Sequence, residues 1–291
     1  MAPLKPISLE QTFKLKEFLR TQLPDSIVPF NWISTQLVWE KNVSDVKVQI
    51  LCPGGDWSDG TLVCLAEGAA ASNKIFGVVH ASEDKLDDLK EALMTTDLID
   101  WKRLQQFSTC LKRFLPIMDE VLQAKGYKNT LELIAHSVVY YMNVDEALNH
   151  PLPDVPDNVR VASLDASLLD AICEIWPSYD PDYRPVVLNN IKLNGSFGVF
   201  VKSEEKEKLA SMAMHAEYGG IGVLQTVTEF RRRGFAEIVL VNNAKSFARK
   251  GLMPYGNVLV GNDASISLFK KCGFRFLTET ATVFVNPNKQ H

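Results

Sequence analysis

Between Gly219 and Gly251 the chain reads GGIGVLQTVTEFRRRGFAEIVLVNNAKSFARKG, and this stretch constrains the fold more than any other. Ile221 to Val227 is apolar and β-branched, the composition of a strand. Past the arginines, Ala236, Leu240, Ala244 and Phe247 recur at intervals of four, four and three, one face of a helix. Gly251 stands where a C′ residue would end that helix. The spacing therefore predicts a strand running through an arginine-glycine loop into a helix. The first turn of a helix carries unpaired N–H groups and the positive end of the peptide dipole, so it attracts phosphate. Gly234 lets the backbone approach a ligand, small Ala236 keeps the path open, and Arg231, Arg232 and Arg233 supply charge-assisted donors for a polyanion. An isolated arginine triplet reads as a solvated surface run; its place between strand and helix favours an anion site.

Other phosphate motifs do not fit. No G-x-x-x-x-G-K-[ST] occurs, and Gly219-Gly220-Ile221-Gly222 precedes a strand without the G-x-G-x-x-G frame. A tight turn between strands at 209–217 and 221–227 accounts for those glycines.

The segment 149–158, NHPLPDVPDN, places Pro151, Pro153 and Pro156 in a polar run and reads as a linker between a domain at 1–148 and another at 159–291. Both halves open with a helical pattern: Leu9, Phe13, Leu15 and Phe18 in the first, Leu164, Leu168, Leu169 and Ile172 in the second. Strand-like runs follow at 46–51, 61–65 and 74–80, and at 197–202 and 209–215. Each half then closes with a helix, an aromatic after glycine and a β-rich tail. Two readings stand, a duplicated α/β unit or the ordinary appearance of a glycine-capped helix before a strand.

A formal charge of −4 argues against a chain that coats nucleic acid. Five dispersed cysteines (Cys52, Cys64, Cys110, Cys173 and Cys272), with no C-x-x-C pair, read as reduced thiols. No run approaches the roughly 18 apolar residues of a membrane span. The N-terminal segment has neither a secretory apolar core nor the Arg/Ser bias of a transit peptide. The expectation is a cytoplasmic protein, with mitochondria as the alternative, acting as a monomer without metal, nucleic acid or membrane. His80 and His136, isolated in apolar runs, read as core or edge residues.

Arg231-x-x-Gly234-x-Ala236 between strand and helix resembles the Q/R-x-x-G-x-G/A signature of the GNAT superfamily. Downstream, a strand at Met253–Val260 leads into Asn262-x-x-Ser265-x-x-Leu268-Phe269-x-x-x-Gly273-Phe274, similar to that superfamily's N-x-x-A-x-x-L-Y-x-x-x-G-F helix. TVTEFRRRGFA and KGLMPYGNVLVGNDAS are most similar to glycine N-acyltransferase-like proteins. The resemblance covers about residues 160–280.

The resemblance implies an α/β fold with a mixed, largely antiparallel central sheet flanked by helices, as a tandem pair if the N-terminal half is a degenerate copy. It implies an acyl-CoA-dependent N-acyltransferase that moves an acyl group to a small amine such as an amino acid, by direct attack in a ternary complex. Leu224 and Thr226 would face the pantetheine arm, Arg231 to Ala236 (with Phe235) would wrap the pyrophosphate, and Asn262 and Phe269 would lie near the pantetheine or acyl end. Asn262 also suits a helix N-cap. A backbone N–H near Thr226 would serve the oxyanion. Phe269 stands where many GNAT enzymes carry a tyrosine, and Gly220 stands where the closer group carries an acidic base. Glu217 and His215, at i,i+2 on one strand face, are the remaining candidates for the base. The N-terminal half has no such loop, and ASEDKLDD after 74–80 would repel a diphosphate; its expected role is a wall of the acceptor pocket. The rival readings are an acyl-CoA-binding protein without turnover and a protein or peptide N-acetyltransferase.

Overall fold

The computed structural model describes residues 2–70, 73–127, 134–202 and 207–285. It divides into two compact units, residues 1–138 with 278–291, and 139–277. The first holds β1 (Leu4–Pro6), α1 (Leu9–Thr21), α2 (Ile27–Asn42), β2 (Lys47–Pro53), β3 (Leu62–Glu67), β4 (Ile75–His80), α3 (Leu86–Thr95), β5 (Leu104–Leu111) and α4 (Leu115–Ala124). Strand β6 (Ile134–Tyr141) runs across the boundary. The second unit continues with α5 (Val144–Asn149), β7 (Val159–Ser163), α6 (Leu169–Ile175), α7 (Arg184–Asn189), β8 (Phe197–Lys202), β9 (Glu207–His215), β10 (Ile221–Thr226), α8 (Phe235–Arg249), β11 (Tyr255–Leu259) and α9 (Asp263–Lys271). The last strand, β12 (Arg275–Phe284), begins in the second unit and ends in the first.

Within the first unit the strand order is β1-β2-β3-β4-β5-β12, antiparallel except for β4 and β5. Within the second it is β6-β11-β10-β9-β8-β7, with β10 and β11 parallel and β10 through β7 antiparallel. A parallel pair needs a crossover, and a helix supplies it in each unit: α3 between β4 and β5, α8 between β10 and β11. The two units thus share an antiparallel meander ending in one helix-linked parallel pair. The fold is mixed α/β with mostly antiparallel pairing, as the sequence led us to expect.

The proline-rich stretch at 151–156 has no helix or strand, yet the boundary between compact units falls before it. Helix α5, ahead of those prolines, is already docked in the second unit, where the Leu148 carbonyl accepts from Lys245 Nζ of α8 at 2.7 Å. Helix α1 also differs in detail. Leu9 and Phe13 are exposed, and Thr12, Leu15 and Leu19 form its buried stripe.

In the second unit, Met212 and Met214 of β9 pack with Ile172 of α6 and Val187 of α7. The opposite face is marked by His215, whose ring lies 3.9 Å, centroid to centroid, from Phe247 of α8. Ile221 pairs with His215 and Gly222 with Met214, so Ile221 shares the α8 face and Gly222 the α6/α7 face.

Candidate functional site

Strands β10 and β11 pair at a single register position, Ile221 with Gly256. The register of β10 against β9 shifts between Gly222 and Gln225, where Val223 adopts a φ of 50°. That is a β-bulge, and bulges bend a strand and re-aim its side chains. Val223 consequently packs against the α6/α7 cluster, and Leu224 lines a cleft beside the end of β10.

That cleft has a volume of about 560 Å³. Its walls are the end of β10, the loop at 230–234, the first turn of α8 and one face of α9 from Ala264 to Lys271. Leu224, Thr226, Arg231, Arg232, Gly234, Phe235, Ala236 and Asn262 all line it, so eight of the expected cofactor residues converge on one surface. Gly234 caps α8 with a φ of 80°, and among the described residues no side chain caps that terminus. The first helical amides therefore remain available to a ligand. A Cβ at Gly234 would meet nothing within 4 Å, so glycine is required there by the left-handed backbone and not by protein crowding. Arg232 also takes a left-handed φ of 62°, a conformation rare for a residue with a side chain.

The three arginines are not equivalent. Arg231 Nε donates to the Thr226 carbonyl at 3.2 Å, tying the loop to the end of β10. Arg232 is exposed on the cleft wall. Arg233 donates to the Glu229 carbonyl at 3.2 Å, lies 5.5 Å from the Phe230 ring centroid and does not line the cleft. Asn262 accepts from Ser265 N–H at 3.1 Å as the α9 N-cap, and it also lines the cleft. Lys271 pairs with Glu237 between α9 and α8 on the same wall.

Phe269 lies elsewhere. It is buried, with its ring centroid 4.9 Å from that of Phe274 and 6.2 Å from that of Tyr140, behind the cleft lining.

Glu217 and His215 are not brought together. β9 ends at His215, and the turn that follows breaks the strand alternation on which their shared face depended. His215 is buried against Phe247; burial and the Lys250 charge push its pKa down to about 3, so the ring is neutral. Glu217 leaves the turn on the other side, where its carboxylate accepts from Asn190 Nδ2 at 3.2 Å and burial raises its pKa. Tyr183 and Tyr218 lie within electrostatic reach of it. At Gly220 a Cβ would stand 2.6 Å from the Tyr218 ring and 2.9 Å from that of Tyr255, so no carboxylate side chain fits there.

In the first unit the corresponding crossover helix, α3, carries Asp87 and Asp88 in its first turn. Helix α8 carries one acid in its first turn, Glu237, and that carboxylate is paired with Lys271. Among the described residues no group of three or more His, Cys, Asp or Glu side chains is placed to hold a metal ion, and no helix is long and apolar enough to cross a membrane.

Residues 196–285 match the family model described as FR47-like protein, and residues 3–121 match a domain of unknown function, DUF5645. A Drosophila protein of known X-ray structure superposes with a TM-score of 0.83, covering 99% of this chain and 100% of that one at 18% identity. A tandem GNAT protein from the clavulanic acid biosynthesis pathway superposes with a TM-score of 0.52, covering 98% of this chain and 100% of that one at 11% identity. The fold of this chain is similar to that of the tandem GNAT protein. The FR47-like match spans β8 to β12, the segment of the second unit that builds the cleft.

Proposed function

We infer that the protein is an acyl-CoA-dependent N-acyltransferase whose acceptor is a small amine, an amino acid being the reading that the likeness to glycine N-acyltransferase-like proteins favours. One observation carries this reading. Beyond the single pair that joins β10 to β11, the end of β10 lines a cleft that reaches uncapped helix amides flanked by Arg231 and Arg232. A nucleotide diphosphate on a narrow, amide-bearing arm has the matching shape and charge.

Residues of the second unit then divide the work. Arg231, Arg232 and the first amides of α8 hold the diphosphate, and the main-chain edge of β10 from Leu224 to Thr226 holds the arm. The acceptor approaches from the α6/α7 face. Its nitrogen lone pair forms the C–N bond, and the C–S electron pair leaves on sulfur. Glu217 takes the proton that the amine must shed, and sulfur takes one from solvent. His215, neutral and enclosed against Phe247, has no part in this proposal.

A second reading, an acyl-CoA-binding protein without turnover, draws on Gly220, where the two tyrosine rings leave no room for a carboxylate. Calorimetry with acetyl-CoA, paired with thiol release across an amino-acid panel, separates the two. Binding with amine-dependent release supports the transferase; binding without release supports the second reading. Gly234→Asp, which puts a carboxylate beside the helix amides, is expected to weaken acetyl-CoA binding at least tenfold. Unchanged affinity in that variant would remove the cleft from the argument.

A further inference from the structure

Tyr218 holds an unusual position. Its ring lies over the main chain of β10 in a space that exists because Gly220 and Gly222 lack side chains: a Cβ at Gly220 would stand 2.6 Å from Cε2 of the ring, and one at Gly222 would overlap the hydroxyl. Tyr255 holds the residue in place, donating its hydroxyl to the Tyr218 carbonyl at 3.0 Å, with the two ring centroids 6.3 Å apart. Both glycines project to the α6/α7 face, since Gly222 pairs with Met214 of that cluster. Ile221 makes the last pair with β11, so Gly222 is the first residue of β10 beyond it. The Tyr218 hydroxyl therefore stands where the strands begin to part, next to the Val223 bulge and on the side of the sheet opposite α8 and α9.

We propose that Tyr218 is a catalytic hydrogen-bond donor, its hydroxyl placed at the apex of the strand splay to receive the negative charge that develops as an amine attacks a thioester there. The inference rests on the acyl-transfer reading and adds to it a residue and a side of approach. Amine attack moves the carbonyl π pair onto oxygen as the C–N bond forms; collapse returns that pair and expels the C–S pair onto sulfur. Through both steps Tyr218 shares its proton in a hydrogen bond and does not transfer it. Burial and the neighbouring Glu217 carboxylate keep the phenol protonated over the working pH range, which suits a donor and rules out a base. A donor fixed before the reaction costs no reorganisation when charge appears.

The test uses the full chain and Tyr218→Phe, which keeps the ring over both glycines and removes only the hydroxyl. Acetyl-CoA affinity is read by calorimetry and thiol release is followed with acetyl- to octanoyl-CoA against the standard amino acids. The expected result is a drop in kcat of about 100-fold, with acetyl-CoA affinity and the acidic limb of the pH–rate profile unchanged. Parent-like kcat in Tyr218→Phe overturns the proposal and leaves the transferase reading in place. A parent protein that binds acetyl-CoA and releases no thiol with any amine overturns both. Should Tyr218→Phe lose affinity along with rate, the hydroxyl serves the fold or the cofactor, and the proposal again fails.

Discussion

The ring of Phe269 rests on the main chain of Gly256, so close that a side chain at Gly256 would overlap Cε1 and Cζ of the ring. Gly256 is also the residue of β11 registered against β10, opposite Ile221, so this contact fixes α9 to β11 at the point where the parallel strands meet before parting.

Gly256→Ala is accordingly expected to destabilise the protein by about 1–3 kcal/mol through overpacking. It is also expected to weaken acetyl-CoA binding, because α9 carries Asn262 and Ser265 on the cleft wall. Denaturant unfolding and calorimetry check the two effects. Parent-like stability would mean that the α9–β11 contact is looser than described.

The arginine triplet makes a sharper prediction. Arg231→Gln and Arg232→Gln are each expected to weaken acetyl-CoA binding about tenfold and to reduce its salt dependence. Arg233→Gln, whose side chain serves the Glu229 carbonyl and the Phe230 ring, is expected to change affinity by less than about threefold. Equal losses in all three variants would indicate a diffuse field in place of two positioned cations.

Glu217 predicts the shape of the pH profile. A base must be ionised to act, and burial shifts this carboxyl toward its protonated form, so rate should climb with pH along a limb lying above the ordinary carboxylate range. Glu217→Gln is expected to abolish that limb and cut kcat by about 100-fold while acetyl-CoA affinity persists. Retention of the limb in the variant would assign it to another group.

His215 and His80 govern acid stability. Burial and a neighbouring cation push their pKa values down to about 3 and about 4 respectively, so the folded protein resists protonation that the unfolded chain accepts. The unfolded state binds more protons as pH falls below about 6.5, and stability declines by about 1.4 kcal/mol per pH unit for each histidine until its folded value is reached. Replacing His215 with leucine should flatten the dependence of unfolding free energy on pH between 6 and 4, as urea titrations at several pH values will show. An unaltered slope would place the acid sensitivity elsewhere.

Much of the cleft beside α8 was legible in the residue order. Glycine, arginine and a helical period follow one another from Arg231 to Phe247, and each has a local physical meaning that needs no tertiary context. The Gly219–Gly222 turn was legible for the same reason. The acceptor side was not. Expecting Glu217 to share a face with His215 assumed that strand alternation persisted, but β9 stops at His215 and the turn sends the two side chains apart. The bulge at Val223 and the lodging of Tyr218 over two glycines depend on main-chain angles that residue types alone do not fix. Helix α2 escaped the sequence reading because it buries residues on nearly every side, Trp32 and Trp39 among them, and so lacks the one-sided stripe by which helices are recognised.

Strand β12 changes how the chain can be cut. Its C-terminal portion pairs with β5, Thr280 opposite Leu111 and Phe284 opposite Gln106, inside the unit built mostly from the first 138 residues. A fragment stopped at the proline stretch would leave β5 with a bare hydrogen-bonding edge, an invitation to self-association. The N-terminal unit is thus completed only by a strand encoded more than 150 residues after β5, and its folding has to wait until that strand has been made.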